Sequence, residues 1–352
     1  MQFKLFGHSG LRVSELALGT LTFGEELGWG VDLEGSRALL DAYDDAGGNF
    51  IDTANRYNAG TSETFVGELL KGRRERFVVA TKYSVGTADG DPNSGGNHRK
   101  CLMQSLEHSL RRLQTDYVDV YWLHQWDFTT SEQEVMRALD DAVRAGKVHY
   151  VGISNAPAWV VARANTLADL RGWSAFAGIQ IEYSLIERSP ERELLPMAKS
   201  LDLAVALWGV VGQGILAGKY HQATRPDSPD GPSRAAVLGH RLNEKNLAIA
   251  KLVSEIAKET GSTPTQIALN WLRGRGQQMI PVLGARNVSQ LRDNLGCLAH
   301  SLPAEARDRL DCASDISRGF PHEFLSQPRI LAGRFGGAQE RLQSHRRLTH
   351  RD

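Results

Sequence analysis

The chain has 352 residues, with 41 basic and 41 acidic side chains and a formal net charge of zero. That length suits one large α/β domain or two average ones, and the balanced charge offers no overall field for nucleic acid or an anionic membrane. Residues 1–6 lack the basic-then-apolar layout of a signal peptide. No uninterrupted apolar run approaches the ~18 residues of a membrane helix, and Cys101, Cys297 and Cys312 have no metal-ligand spacing, so a reducing cytoplasm is the expected setting.

Residues 3–13 alternate around Gly7 and Gly10, which predicts a short hairpin before the core begins. The first core strand is expected at 15–18, running into Gly19 and Thr20, and a helix follows at 33–46. The stretch Asn49-Phe50-Ile51-Asp52 is a short apolar run that breaks at a carboxylate, the pattern of a buried strand ending in a functional loop. A helix opens soon after, at 63–70, with Thr61 or Ser62 as its cap. Further strands are predicted at 77–80, ending at Thr81-Lys82, and at 117–123, running into His124. Helices at 98–113 and 132–145 flank the second of these, the latter stopping at Gly146, a residue suited to a left-handed cap. The strand at 148–153 ends at Ser154-Asn155, and the next helix has Pro157 near its first turn. Strands at 177–181 and 203–207 surround a helix at 191–200. Helices at 244–259 and 264–273 precede the last strand at 279–283.

Eight strands alternating with helices imply parallel pairing through right-handed crossovers. With eight βα units and no Pro/Ser-rich linker, the pattern predicts one closed (β/α)8 barrel. Two segments break the rhythm: a polar, proline-rich insertion at 221–243 after the seventh strand, and a long tail from 316 onward. The barrel unit is assigned to 1–325 and the polar tail to 326–352, with the arginine-rich end at 339–352 expected to be frayed. Gly319 to Leu325 places two aromatics and a leucine in an otherwise polar segment. These need an apolar seat, so the segment is expected to close over the substrate mouth.

Asp52, Tyr57, Lys82 and His124 stand at or just beyond the carboxyl ends of consecutive strands, the rim where barrel chemistry sits. Such a set suits proton transfer. A tyrosine titrates near ~10 in water, too high for an efficient acid at neutral pH, and a neighbouring lysine cation is expected to lower it. A carboxylate would hold that lysine charged and in place, and a histidine within reach could orient an incoming oxygen. A single lysine or histidine of this kind could equally be a surface charge or a satisfied rim residue. Four of them at successive strand ends is a much rarer coincidence.

On these motifs the chain resembles the aldo-keto reductase superfamily, over residues 3–324. Gly48-Asn49-Phe50-Ile51-Asp52-Thr53-Ala54 with Tyr57, Gly60 and Ser62-Glu63 is similar to the family signature around its aspartate and tyrosine. Thr81-Lys82-Tyr83 matches the lysine strand, and Tyr121-Trp122-Leu123-His124 the histidine strand. The resemblance implies a TIM barrel fold, NADP(H) as cofactor, Tyr57 as general acid, and Lys82, Asp52 and His124 as the other members of a catalytic tetrad. It also implies that Ser154, Asn155 and Gln180 hold the nicotinamide carboxamide and that Trp208 covers the nicotinamide face. Gly209, Val210, Val211, Gly212, Gln213 and Lys219 fall in the pyrophosphate-covering loop, and Gly19, Thr20 and Leu21 are further implied cofactor-binding residues. Relatives often carry Ser-Pro-Leu where this chain has Gly209-Val210-Val211, so a hydroxyl contact to phosphate is missing. Gly284, Arg286, Gln290, Asp293 and Asn294 resemble the adenosine-phosphate site at a helix start, with Arg286 suited to a 2′-phosphate.

Other chemistries lack their motifs. No G-x-G-x-x-G follows the first strand, no Tyr is followed four residues later by Lys, Gly218-Lys219-Tyr220 is no P-loop, and no His-Glu-x-x-His occurs. The expectation is an NADPH-dependent reductase of an aldehyde or ketone, or the reverse alcohol oxidation, without metal. Phe23 and Trp126 are candidate walls of the substrate pocket beside Tyr57 and His124. Two other readings remain: a redox-sensing NADP-binding regulatory subunit like the channel-associated β subunits, separable by testing for turnover, and a sugar-nucleotide keto or enoyl reductase, separable by neighbouring biosynthetic genes. Substrate identity and oligomeric state are left open.

Overall fold

In the computed structural model, residues 1–218, 241–338 and 341–343 are described. The eight predicted core strands are all present: β3 (Ala17–Gly19), β4 (Phe50–Asp52), β5 (Val78–Tyr83), β6 (Val118–Leu123), β7 (Val148–Ser154), β8 (Phe176–Glu182), β9 (Ala204–Trp208) and β10 (Met279–Leu283). They pair in parallel in the order β10-β3-β4-β5-β6-β7-β8-β9 and close into a barrel. The hairpin is β1 (Phe3–Leu5) with β2 (Arg12–Ser14), paired antiparallel. Helices follow the strands in turn, among them α1 (Leu33–Asp45), α2 (Thr61–Leu69), α3 (Arg99–Leu113), α4 (Glu132–Arg144) and α5 (Ala158–Arg171). The fold is a (β/α)8 TIM barrel with an N-terminal hairpin. Among the described residues no helix is long and apolar enough to cross a membrane.

Strand periodicity sets the site. Ala17, Phe50, Val78, Ala80, Val120, Trp122, Ala204, Ala206 and Ile280 form one buried cluster inside the barrel. Side chains two residues apart on a strand share a face. The next inward positions after Ala17, Phe50, Ala80, Trp122 and Ala206 are therefore Gly19, Asp52, Lys82, His124 and Trp208, all at the carboxyl rim. Register brings them side by side: Gly19 pairs with Asp52, Asp52 with Ala80, and Lys82 with Trp122. Across the barrel Ser154 pairs with Gln180, and Gln180 with Ala206.

The opposite end is plugged. Phe6, just beyond β1, puts its ring edge-on to Phe50 and Trp122 at centroid distances of 5.9 and 5.8 Å. The Trp122 indole fits because its neighbour is Gly152, where a Cβ would lie 2.3 Å from the ring. Filled layers below and an open rim above leave one end of the barrel for a ligand.

The tail is anchored on residues that do not line the rim cavity described below. Arg318 pairs with Glu191 at 2.6 Å, Arg192 donates to the Ser317 carbonyl, and His322 contacts Glu193 at 2.9 Å. Phe320 stays 84% exposed, with Phe324 and Leu325 each 42% exposed. The insertion from 219 to 240, including Lys219, and most of the arginine-rich end at 339–352 lie outside the described residues.

Candidate active site

Lys82 is fully buried, and its ammonium is held from three sides. It donates to Asp52 Oδ2 at 2.6 Å, to the Thr53 carbonyl at 2.8 Å and to the Tyr57 hydroxyl at 3.2 Å. The other carboxylate oxygen of Asp52 accepts from Gln180 Nε2 at 2.8 Å. The His124 ring meets Tyr57 edge-on, with centroids 6.0 Å apart. Asn155, held at φ +49, donates its side-chain amide to the His124 carbonyl at 2.9 Å. The structure thus brings together all four residues picked out at the strand ends, with Gln180 joined to them.

Electrostatics assign the charges. Burial works to lower the Lys82 pKa, but Asp52 and Tyr57 outweigh it and the net shift is upward, so the lysine is a cation. Burial raises the Tyr57 pKa, and the opposing pull of Lys82 only partly offsets it. The lowering expected from the sequence is therefore reversed: desolvation of the phenolate dominates, and the hydroxyl keeps its proton. Burial, reinforced by the Lys82 charge, pushes His124 down to about 3, leaving a neutral imidazole. A protonated phenol next to a fixed cation can give up a proton to an oxygen that is gaining negative charge.

Tyr57 and His124 face a cavity of about 830 Å³, within the range of small-molecule and cofactor sites. Its inner end is lined by Asp52, Tyr57, His124, Ser154, Asn155, Gln180 and Trp208. Its outer end is lined by Gly284, Arg286, Gln290, Asp293 and Asn294, with Thr265 and Leu269 from the helix Pro264–Arg273. One wall is Gly209, Val210, Val211, Gln213, Gly214 and Ala217, and the other Gly19, Leu21, Thr22 and Trp29. His124 Nδ1, Ser154 Oγ, Trp208 Nε1 and Gln213 Oε1 are buried without a hydrogen-bond partner. Buried polar atoms are almost always paired, so these four suit a long ligand with donors and acceptors at its inner end and middle. At the outer end Asn287 caps the helix Val288–Leu295 through the Gln290 amide, and the Arg286 backbone amide donates to Gln290 Oε1.

Several expectations change in detail. Thr20 and Gly212 do not line the cavity; Thr20 is buried, with its hydroxyl bonded to Ser62 at 2.8 Å and to the Asp52 carbonyl. Phe23 is 1% and Trp126 9% exposed, and both rings pack into the core between barrel and helices instead of facing the cavity. Neither Thr61 nor Ser62 caps α2: the cap is Gly60, at φ +100, while Ser62 is spent on Thr20 and Thr53. No residue of 319–325 lines the cavity, so this segment is not part of its wall. The sequence reading missed Thr22, Trp29, Thr265 and Leu269. The last two were findable, since they are four apart on a helix that opens with a Thr263-Gln266 capping box.

Comparison with known proteins agrees with this geometry. Residues 15–315 match the Aldo/keto reductase family. The chain is 38% identical over 333 residues to norsolorinic acid reductase of Aspergillus flavus, covering 91% of this chain and 83% of that protein. It is 37% identical over 332 residues to an aryl-alcohol dehydrogenase of Pestalotiopsis microspora, covering 92% and 84%. It is 36% identical over 331 residues to an aldo-keto reductase of Aspergillus calidoustus, covering 90% and 83%.

Proposed function

The chain belongs to the aldo/keto reductase family, and on that premise we propose that it is an NADPH-dependent reductase of aryl aldehydes or ketones, also able to oxidise the alcohols. The observation that carries this reading is the Tyr57–Lys82–Asp52 chain at one cavity of about 830 Å³ whose lining runs from Tyr57 and His124 to Arg286 and Asn294.

The cavity residues divide the work. Ser154, Asn155 and Gln180 would hold the nicotinamide carboxamide, Trp208 the ring face, the 209–214 wall the pyrophosphate, and Arg286 with Gln290 the 2′-phosphate. NADPH, when bound, supplies the hydride. Tyr57 gives its proton to the carbonyl oxygen, so hydride and proton together convert C=O to an alcohol. The tyrosinate left behind is stabilised by the Lys82 cation at 3.2 Å, and Asp52 keeps that cation fixed. Neutral His124 can donate a hydrogen bond to the same oxygen and add no charge of its own. The aryl preference draws on the relative named for aryl alcohols.

The test follows NADPH absorbance with a panel of aryl aldehydes and ketones, and NADP⁺ reduction with aryl alcohols. Turnover in either direction supports the reading. NADPH binding without turnover on any member would instead favour a cofactor-sensing role.

A further inference from the structure

We propose that Asn58 is a positioning residue that ties the Leu21–Trp29 wall of the cavity to the turn carrying Tyr57, and that this wall grips the flat ring of an aryl substrate. The inference rests on the reading of Tyr57 as the acid and names what sets the substrate beside it.

Asn58 follows Tyr57 directly and sits in the left-handed region, at φ 46 and ψ 50. Its side chain is 2% exposed and aimed at the neighbouring loop. Nδ2 donates to the Leu21 carbonyl at 2.8 Å and to the Phe23 carbonyl at 2.9 Å, while Oδ1 accepts from the Leu27 amide at 3.1 Å. One side chain thus satisfies three backbone groups of a loop that has no regular ladder of its own. Asparagine tolerates the left-handed conformation better than other side chains of its size, so this residue can serve both the turn and the loop.

The loop is built to rest there. At Gly24, φ +112, a Cβ would meet the Asn58 Cβ at 2.7 Å, so the Gly24 backbone rests directly against the Asn58 side chain. Gly24 and Val31 close the loop, with the Gly24 amide on the Val31 carbonyl at 2.9 Å and the Val31 amide on the Thr22 carbonyl at 2.8 Å. Thr22 anchors the far side through the Ala285 carbonyl at 2.8 Å. Leu21 and Trp29 then line the cavity that Tyr57 also faces, as part of its apolar wall. An indole lining the cavity that Tyr57 faces favours a planar ring over a short alkyl chain.

The experiment compares Asn58→Gly, Trp29→Ala and Tyr57→Phe with the unaltered enzyme, using NADPH with benzaldehyde and with propanal. NADPH affinity is read by tryptophan fluorescence quenching. Asn58→Gly still permits the left-handed backbone and deletes the amide together with the Cβ that packs on Gly24. Loss of the clamp should raise KM for benzaldehyde about tenfold, KM for propanal less than about threefold, and leave NADPH affinity within about threefold. Trp29→Ala should shift the benzaldehyde-to-propanal ratio the same way, which keeps the proposal testable if Asn58→Gly folds poorly. Equal changes for the two aldehydes, a melting-temperature loss with unchanged kinetics, or weakened NADPH binding with unchanged KM would each overturn it. Tyr57→Phe separates the two readings: normal turnover there would remove the acid assignment, whatever Asn58→Gly does.

Discussion

The Lys82 ammonium donates to the Tyr57 hydroxyl at 3.2 Å and stands 4.8 Å from the centre of its ring. The bond places a permanent positive charge at the oxygen that becomes negative once its proton leaves. Tyr57→Phe should therefore cut carbonyl reduction by about 10²–10⁴-fold, the usual worth of a positioned proton donor. NADPH affinity should hold within about twofold, since the ring remains. A mutant retaining more than about a tenth of kcat on good substrates would remove Tyr57 from the acid role.

The pH profile follows from the two shifted groups. Tyr57 is raised above its ordinary value, so it stays protonated through neutral and mildly alkaline pH. His124, at about 3, is already neutral well below the working range. Reduction should run flat from about pH 5 to 9 and fall only where Tyr57 ionises, while alcohol oxidation should rise toward that same limb. An acid limb in kcat near pH 6–7 would mean that a histidine titrates in the mechanism after all.

Much of this was legible in the chain because a barrel strand encodes both place and direction. Phe50-Ile51-Asp52, Ala80-Thr81-Lys82 and Tyr121-Trp122-Leu123-His124 mark strand ends, so Asp52, Lys82 and His124 could be placed at the rim from the sequence. Loops carry no such mark. The Tyr57–Gly60 turn runs through two left-handed non-glycine residues, Asn58 and Ala59, and nothing in the spacing announces them. Phe23 looked like a rim residue because it follows a strand end, but its loop folds back and buries the ring. The sign of the Tyr57 shift was misjudged for a related reason. Sequence proximity suggests a charge neighbour but says nothing about how much water burial removes.

Arg286 gives a cofactor prediction. Its side chain lines the outer end of the cavity, one residue before the Asn287 cap. If it grips a 2′-phosphate, Arg286→Ala should cost ~1.5–3 kcal/mol of NADPH affinity, or roughly ten- to hundredfold. NADH affinity should barely move. Equal losses for the two cofactors, measured by fluorescence titration, would instead put Arg286 on a shared part of the ligand or on the fold.

Stability should carry an acid-sensitive component at Glu191. Burial pushes this carboxyl up, but hydrogen bonds from Arg188 and Tyr183, with the Arg188 and Arg275 charges, hold it at about 2. A depressed carboxyl contributes stability that is complete above its unfolded value of 4.5 and lost as pH falls toward 2. The shift corresponds to roughly 3 kcal/mol. Glu191→Gln should be less stable at pH 7 in urea unfolding and lose less on acidification than the unaltered protein. An identical drop between pH 4.5 and 2.5 in both would show that Glu191 is not the responsible group.

The tail supplies the last test, because its sequence and its placement point in opposite directions. Phe320, Phe324 and Leu325 suggest a segment seeking an apolar seat at the mouth, yet they remain exposed and no residue of 319–325 lines the cavity. What holds the segment is polar: Arg318 on Glu191, Ser317 on Arg192 and His322 on Glu193. Ending the chain after Arg318 keeps the first two of these contacts and removes the third, together with the Ser317–Glu323 hydrogen bond, both solvent-exposed and each worth about 1 kcal/mol at most. Such a truncation should leave KM for aryl aldehydes within about twofold and lower the melting temperature by only a few degrees, as a loss of that size implies. Ending it after Ala338 should change neither quantity. A several-fold rise in KM on the longer truncation, with NADPH affinity intact, would mean that the tail reaches the mouth during turnover and would restore it as part of the substrate site.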